Sequence, residues 1–160
     1  MSLTQPVASD HQLARLLQIG IVLEEVVEAR AGKHAAETDD AADADLARLL
    51  EDASAESAQH RRQLEELLDD LDADTVPFEE IQTLVEAQYE ADEDFDGVLY
   101  DQLCNEETAY KFYDDLIDAI EASDAAFSID RDRVLEVLTE IRDEEAEGVE
   151  EVTRIMEARE

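Results

Sequence analysis

Apolar residues recur at three- and four-residue spacing through four long stretches of the chain, the signature of amphipathic helices. The first stretch starts after Ser9, where Ser-Asp-His-Gln sets Gln12 three residues on as a capping box, and it runs to about Glu37. A polar run from Glu37 to Asp45 then interrupts the pattern. The second, over 46–71, carries Leu46, Leu49, Leu50, Ala53, His60, Leu64, Leu67, Leu68 and Leu71. A third, over 95–122, has Leu99, Leu103, Tyr110, Tyr113, Ile117 and Ile120 in register. Ser128 or Asp130 caps the fourth, over 130–157, whose stripe is Val134, Leu138, Ile141, Val149, Val152 and Met156. Four glycines and two prolines leave little to break such helices and argue against a β-rich fold.

The links between the first two helices and between the last two are short, which predicts antiparallel neighbours. Residues 72–94 differ in character, with Pro77 and a short amphipathic segment from Phe78 to about Ala91, and read as a crossover. The expectation is an all-α protein, one domain over 1–160, folded as a four-helix bundle with one long central connection.

Helical geometry then locates several carboxylates. At 100° per residue His60 lies near the centre of the apolar stripe of its helix, with Glu56 one turn earlier and about 40° toward the edge. Glu106 falls between Leu99, Leu103, Tyr110 and Tyr113, and Glu145 between Leu138, Ile141, Val149 and Val152. On the first helix Glu24 fits best, between Leu17, Ile21, Val27 and Ala31, with Glu28 next. Acids make up 46 of 160 residues, so a mid-length acid on every helix is weak evidence by itself. Apolar neighbours one and two turns away on the same face sharpen it. Burying unpaired carboxylates costs several kcal/mol each, so a core layer of them calls for protons, cationic partners or metal ions. Oxygen ligands with one imidazole suit Fe or Mn, and bridging carboxylates allow a dinuclear site.

Charge changes the picture in a second way. The formal charge is −34, and ten of the 12 basic residues are Arg. That is the composition of a halophile's cytoplasm, where molar salt shortens the Debye length to about 3 Å and screens self-repulsion. Such a surface repels nucleic acid and anionic membrane and attracts inorganic cations. No apolar run approaches the length of a membrane span and no basic-then-apolar leader is present, so the expected compartment is cytoplasmic. Cys104 is the single cysteine, which excludes an intramolecular disulfide and a Cys-ligated cluster. A second apolar stripe on the first helix, Leu16, Ile19, Leu23 and Val26, can cover a neighbouring helix or a second subunit, and a homodimer through the first two helices is the expectation.

From Asp10 to Glu157 the chain resembles the ferritin-like superfamily of rubrerythrins and bacterioferritins, in a halophilic archaeal form. The best local match is on the third helix, where Glu106, Ala109, Phe112 and Tyr113 resemble the family pattern E-x-x-A-x-x-F-Y. The resemblance implies a di-iron or di-manganese centre with one Glu on helices 1 and 3 and Glu-x-x-His on helices 2 and 4. Two departures stand out. On helix 2, Ser57 takes the position three before His60 and the acid has moved to Glu56. On helix 4, Gly148 takes the second imidazole's place, and only Glu144 or a water is near enough to stand in.

Two functions follow as expectations. One is a metal-binding protein that holds Fe or Mn through Glu24 or Glu28, Glu56, His60, Glu106 and Glu145, with an oxidative or iron-handling role. The other is a metal-free bundle that acts as an interaction or stress-related module, its core acids protonated or bonded to His60 and the tyrosines.

Overall fold

In the computed structural model, residues 5–38, 43–83 and 97–159 are described. Among them the chain is helical throughout its regular structure, with no strand. Four long helices span Asp10–Glu37 (α1), Ala44–Asp70 (α2), Val98–Glu121 (α3) and Arg131–Ala158 (α4). Residues 78–83 are also helical. The rest of the expected crossover segment, and the expected start of the third helix at Phe95, lie outside the described residues.

The helix starts follow local chemistry. Ser9 accepts the Gln12 amide at 3.2 Å, while the Gln12 side chain accepts the amide of Ala8 at 2.7 Å, one residue earlier than a capping box places it. Asp43 caps α2 through the amide of Leu46, so this helix begins two residues before its first leucine. Gly97, at φ +98°, leads into α3 in a conformation that favours glycine. Of the two candidate caps for α4, Asp130 takes the role. Ser128 instead ties connections together, accepting the amide of Asp72 and donating its own to Asp10.

Cross-helix contacts set the directions. Gly20 lies against Leu64 and the Ser54 hydroxyl donates to the Glu28 carbonyl, so α1 and α2 are antiparallel. Arg142 pairs with Asp114, and Gly148 faces Glu106, which makes α3 and α4 antiparallel as well. Asp70 pairs with Arg133 near the start of α4, whereas Asp101 pairs with Arg30 and His34 near the end of α1. Therefore α2 ends and α3 begins at opposite ends of the bundle. The buried Gln18 amide holds the chain after α2, donating to the Val76 carbonyl at 2.8 Å and accepting the Val76 amide at 3.2 Å.

The core is divided. A large apolar cluster runs from Val7, Leu13 and Leu17 through Leu64, Leu67, Leu116 and Ile120 to Leu138 and Ile141. A smaller one, built on Leu46, Leu49, Leu50 and Val152, fills the other end. Between them lies a polar layer in which Glu24, Ser57, His60, Gln102, Asn105, Glu106 and Glu145 are all buried. On α3 the expected stripe holds at Tyr113, Ile117 and Ile120, which are buried, and at Leu99 and Leu103, which pack against the smaller cluster, but Tyr110 is 38% exposed, and Asp101, Gln102 and Asn105 also point inward. On the second stripe of α1, Leu23 is buried, and Leu16, Ile19 and Val26 are half-buried against the larger cluster.

Candidate metal centre

Each long helix delivers a ligand-bearing side chain to this layer. Glu24 lies three residues from both Ile21 and Val27, on the face of α1 that the core covers, and is fully buried. His60 stands one turn before Leu64 and is fully buried too. Glu56, one turn earlier, is half-buried, which matches its place at the edge of the stripe. Glu106 and Glu145 are buried, the latter one turn after Ile141.

The imidazole is the hub. His60 Nδ1 lies 3.0 Å from Glu145 Oε1 and 3.5 Å from Glu24 Oε1, and Nε2 lies 3.0 Å from Glu144 Oε2. The Tyr113 hydroxyl donates to Glu24 Oε1 at 2.7 Å, and Gln102 Nε2 donates to Glu106 Oε1 at 2.9 Å. The Glu106 and Glu145 carboxyls are within hydrogen-bonding reach of each other. With the carboxyls ionised, Glu24 Oε2 and Glu106 Oε2 are buried without a donor.

Burial and mutual repulsion shift the protonation of the whole layer. Burial pushes the Glu56 carboxyl up to about 7; His60 opposes the shift, and Glu106, Glu144 and Glu24 add to it. Glu106 is raised chiefly by burial, against its hydrogen bonds with Glu145 and Gln102. Glu145 is raised well above the usual carboxylate range by burial, by the charge of Glu24 and by its bond with Glu106. Burial disfavours the His60 imidazolium, but hydrogen bonds with Glu145 and Glu24 outweigh it and lift the ring to about 11. The layer thus holds more acid than one imidazolium can neutralise, and it requires protons or added cations.

Three sets of side chains bring candidate ligand atoms within 4.8 Å of one another: Glu24, His60 and Glu145; Glu56, His60 and Glu144; and Glu56, Glu106 and Glu145. The buried set of Glu24, His60 and Glu145 can hold a metal ion. Of the six candidate residues, Glu24, Glu56, His60, Glu106 and Glu145 therefore come together. Glu28 does not join them; its half-exposed carboxylate pairs with Arg61 at 3.1 Å. His34, near the end of α1, pairs with Asp101 instead.

In the sequence Glu144 stands out only as a stand-in for the absent second imidazole, and the structure sets it on His60 Nε2. Tyr113 reads from the sequence as part of the apolar stripe or, in the metal-free reading, as a partner of the core acids, and its hydroxyl serves Glu24. Gln102 gave no signal of its own beyond lying one turn before Glu106. Comparison with protein families, characterised proteins and solved structures found no match for the chain. Among the described residues no helix is long and apolar enough to cross a membrane.

Proposed function

We propose that this chain is a ferritin-like metal-binding protein whose centre takes a pair of Fe or Mn ions. The observation that carries the reading is the overlap of the three ligand sets: Glu56, His60 and Glu145 each belong to two of them. Two cations in the layer would share these ligands and neutralise the carboxylates that repel each other. A donor set of oxygens with one imidazole suits Fe and Mn better than Zn. The helix directions support one long crossover between α2 and α3, the connectivity of ferritin-like bundles.

When bound, such a pair supplies redox or Lewis-acid chemistry toward O₂ or peroxide. The chain's own part is to hold and orient. Tyr113 steers Glu24, Gln102 steers Glu106, and Glu144 fixes the far side of the His60 ring. The acidic, arginine-biased composition supports a halophilic, cytoplasmic setting, and pairing through α1 and α2 into a homodimer belongs to the same proposal.

A metal-free bundle that serves as an interaction module is the second reading. It is favoured by the network around His60, which pairs the imidazolium with Glu24, Glu144 and Glu145 without any ion. Elemental analysis of protein purified in high salt separates the two. A pair of Fe or Mn ions per chain is expected in the parent, and less metal in a Glu106→Ala, Glu145→Ala variant, which keeps only the set of Glu56, His60 and Glu144. Substoichiometric metal in the parent, or equal metal in both proteins, removes the first reading in favour of the second.

A further inference from the structure

We infer that Gly148 is a positioning residue of the centre: by carrying no side chain it admits the Glu106 carboxylate against α4, beside Glu145. For its ligand this inference rests on the metal-binding reading above; its steric part stands independently.

Gly148 lies inside α4, where glycine is costly relative to alanine because it must give up more backbone freedom. Its backbone gives no reason for glycine, since among the described residues only Gly97 has a positive φ. The reason is space. A Cβ at this position would meet Glu106 Oε2 at 2.5 Å, Cδ at 2.6 Å and Oε1 at 2.8 Å, all closer than non-bonded atoms approach. Gly32 on α1 is different: a Cβ there would meet Ser54 Oγ at an ordinary 3.5 Å.

The carboxylate has little freedom to yield in place. It is 6% exposed, bonded to Gln102 at 2.9 Å and within hydrogen-bonding reach of Glu145. Any side chain at 148 therefore swings Glu106 away from Glu145 and dissolves the set formed by Glu56, Glu106 and Glu145. In this chain α4 yields part of the centre to an acid from α3.

The test is a double-substitution cycle read by Mn(II) titration of chelator-treated protein in high salt, using the parent, Gly148→Ala, Glu106→Ala, the double variant and Gly32→Ala. Gly148→Ala is expected to weaken Mn(II) binding by about 10- to 100-fold, the range seen when a group that orients a metal ligand is lost. The double variant should bind no more weakly than Glu106→Ala alone, and Gly32→Ala should bind like the parent. Parent-like binding by Gly148→Ala, or an equal loss in both backgrounds, overturns the inference.

A metal-free arm uses thermal unfolding with chelator present. Alanine at 148 should raise Tm more when Glu106 is absent than when it is present, and an equal change in both backgrounds also overturns the inference. If the parent binds no Mn(II), the metal reading falls and the unfolding arm alone decides the role of Gly148.

Discussion

Tyr113 on α3 donates its hydroxyl hydrogen to Glu24 on α1 across 2.7 Å, with both side chains fully buried. Removing the donor leaves a buried carboxylate oxygen with less support, a loss typically of about 1.5–3 kcal/mol for a bond to a charged group. Tyr113→Phe should lower unfolding stability by about that amount in high-salt denaturant titrations. An unchanged midpoint would show that this bond does not hold α1 to α3.

The imidazole of His60 faces Glu24, Glu144 and Glu145 within 3.5 Å. His60→Ala removes that counter-charge from a buried layer, so the metal-free protein should lose about 3–5 kcal/mol near neutral pH. Lowering the pH lets the carboxyls take protons in its place, and the deficit should shrink. Chemical unfolding at the two pH values checks both parts; a deficit independent of pH points to lost packing alone.

The metal-free protein should lose stability as pH rises. A carboxyl whose folded value lies above its unfolded one keeps its proton longer in the folded state. Folding then becomes less favourable as pH climbs from the unfolded value of 4.5 through about 7 for Glu56, and the raised Glu106 and Glu145 act in the same direction. The His60 contribution is complete below 6.5 and is lost as pH rises through about 11. Metal ions replace protons in the layer, so the loaded protein should show the opposite slope. Melting curves from about pH 5 to about pH 8 with chelator or with Mn(II) decide it, and Glu56→Gln should flatten the metal-free trend.

A surface that carries a formal charge of −34 repels itself strongly once the Debye length grows from about 3 Å in molar salt to about 30 Å in dilute buffer. Dialysis to low ionic strength should reduce the helical circular dichroism, and returned salt should restore it. The same helicity and Tm at both ionic strengths would refute the halophilic reading.

Helix positions are legible in the sequence because the apolar period and the caps Ser9 and Asp130 are local signals. The inward direction of Glu24, His60, Glu106 and Glu145 is legible for the same reason, since each shares a helical face with leucines, isoleucines or valines. What escapes a one-dimensional reading is decided between helices. Glu28 is only one turn from Glu24, yet Arg61 of α2 draws it outward. Tyr110 reads as core, yet it is exposed, while Gln102 and Asn105 of the same helix are buried. Gly148 reads as a missing ligand, and only the approach of Glu106 from α3 shows that its emptiness is filled.

The polar layer that parts the two apolar clusters also makes the bundle mechanically uneven. Among the described residues, the side of Leu13, Leu116 and Ile141 holds most of the buried hydrocarbon, whereas the side of Leu46, Leu50 and Val152 is the thinner. Local opening free energies follow buried apolar contact, so the thin end should breathe first, with faster amide exchange near Leu46 and Val152 than near Leu116. Ions held in the layer would then bolt the loose end to the firm one, and their entry and escape would follow the breathing of that end.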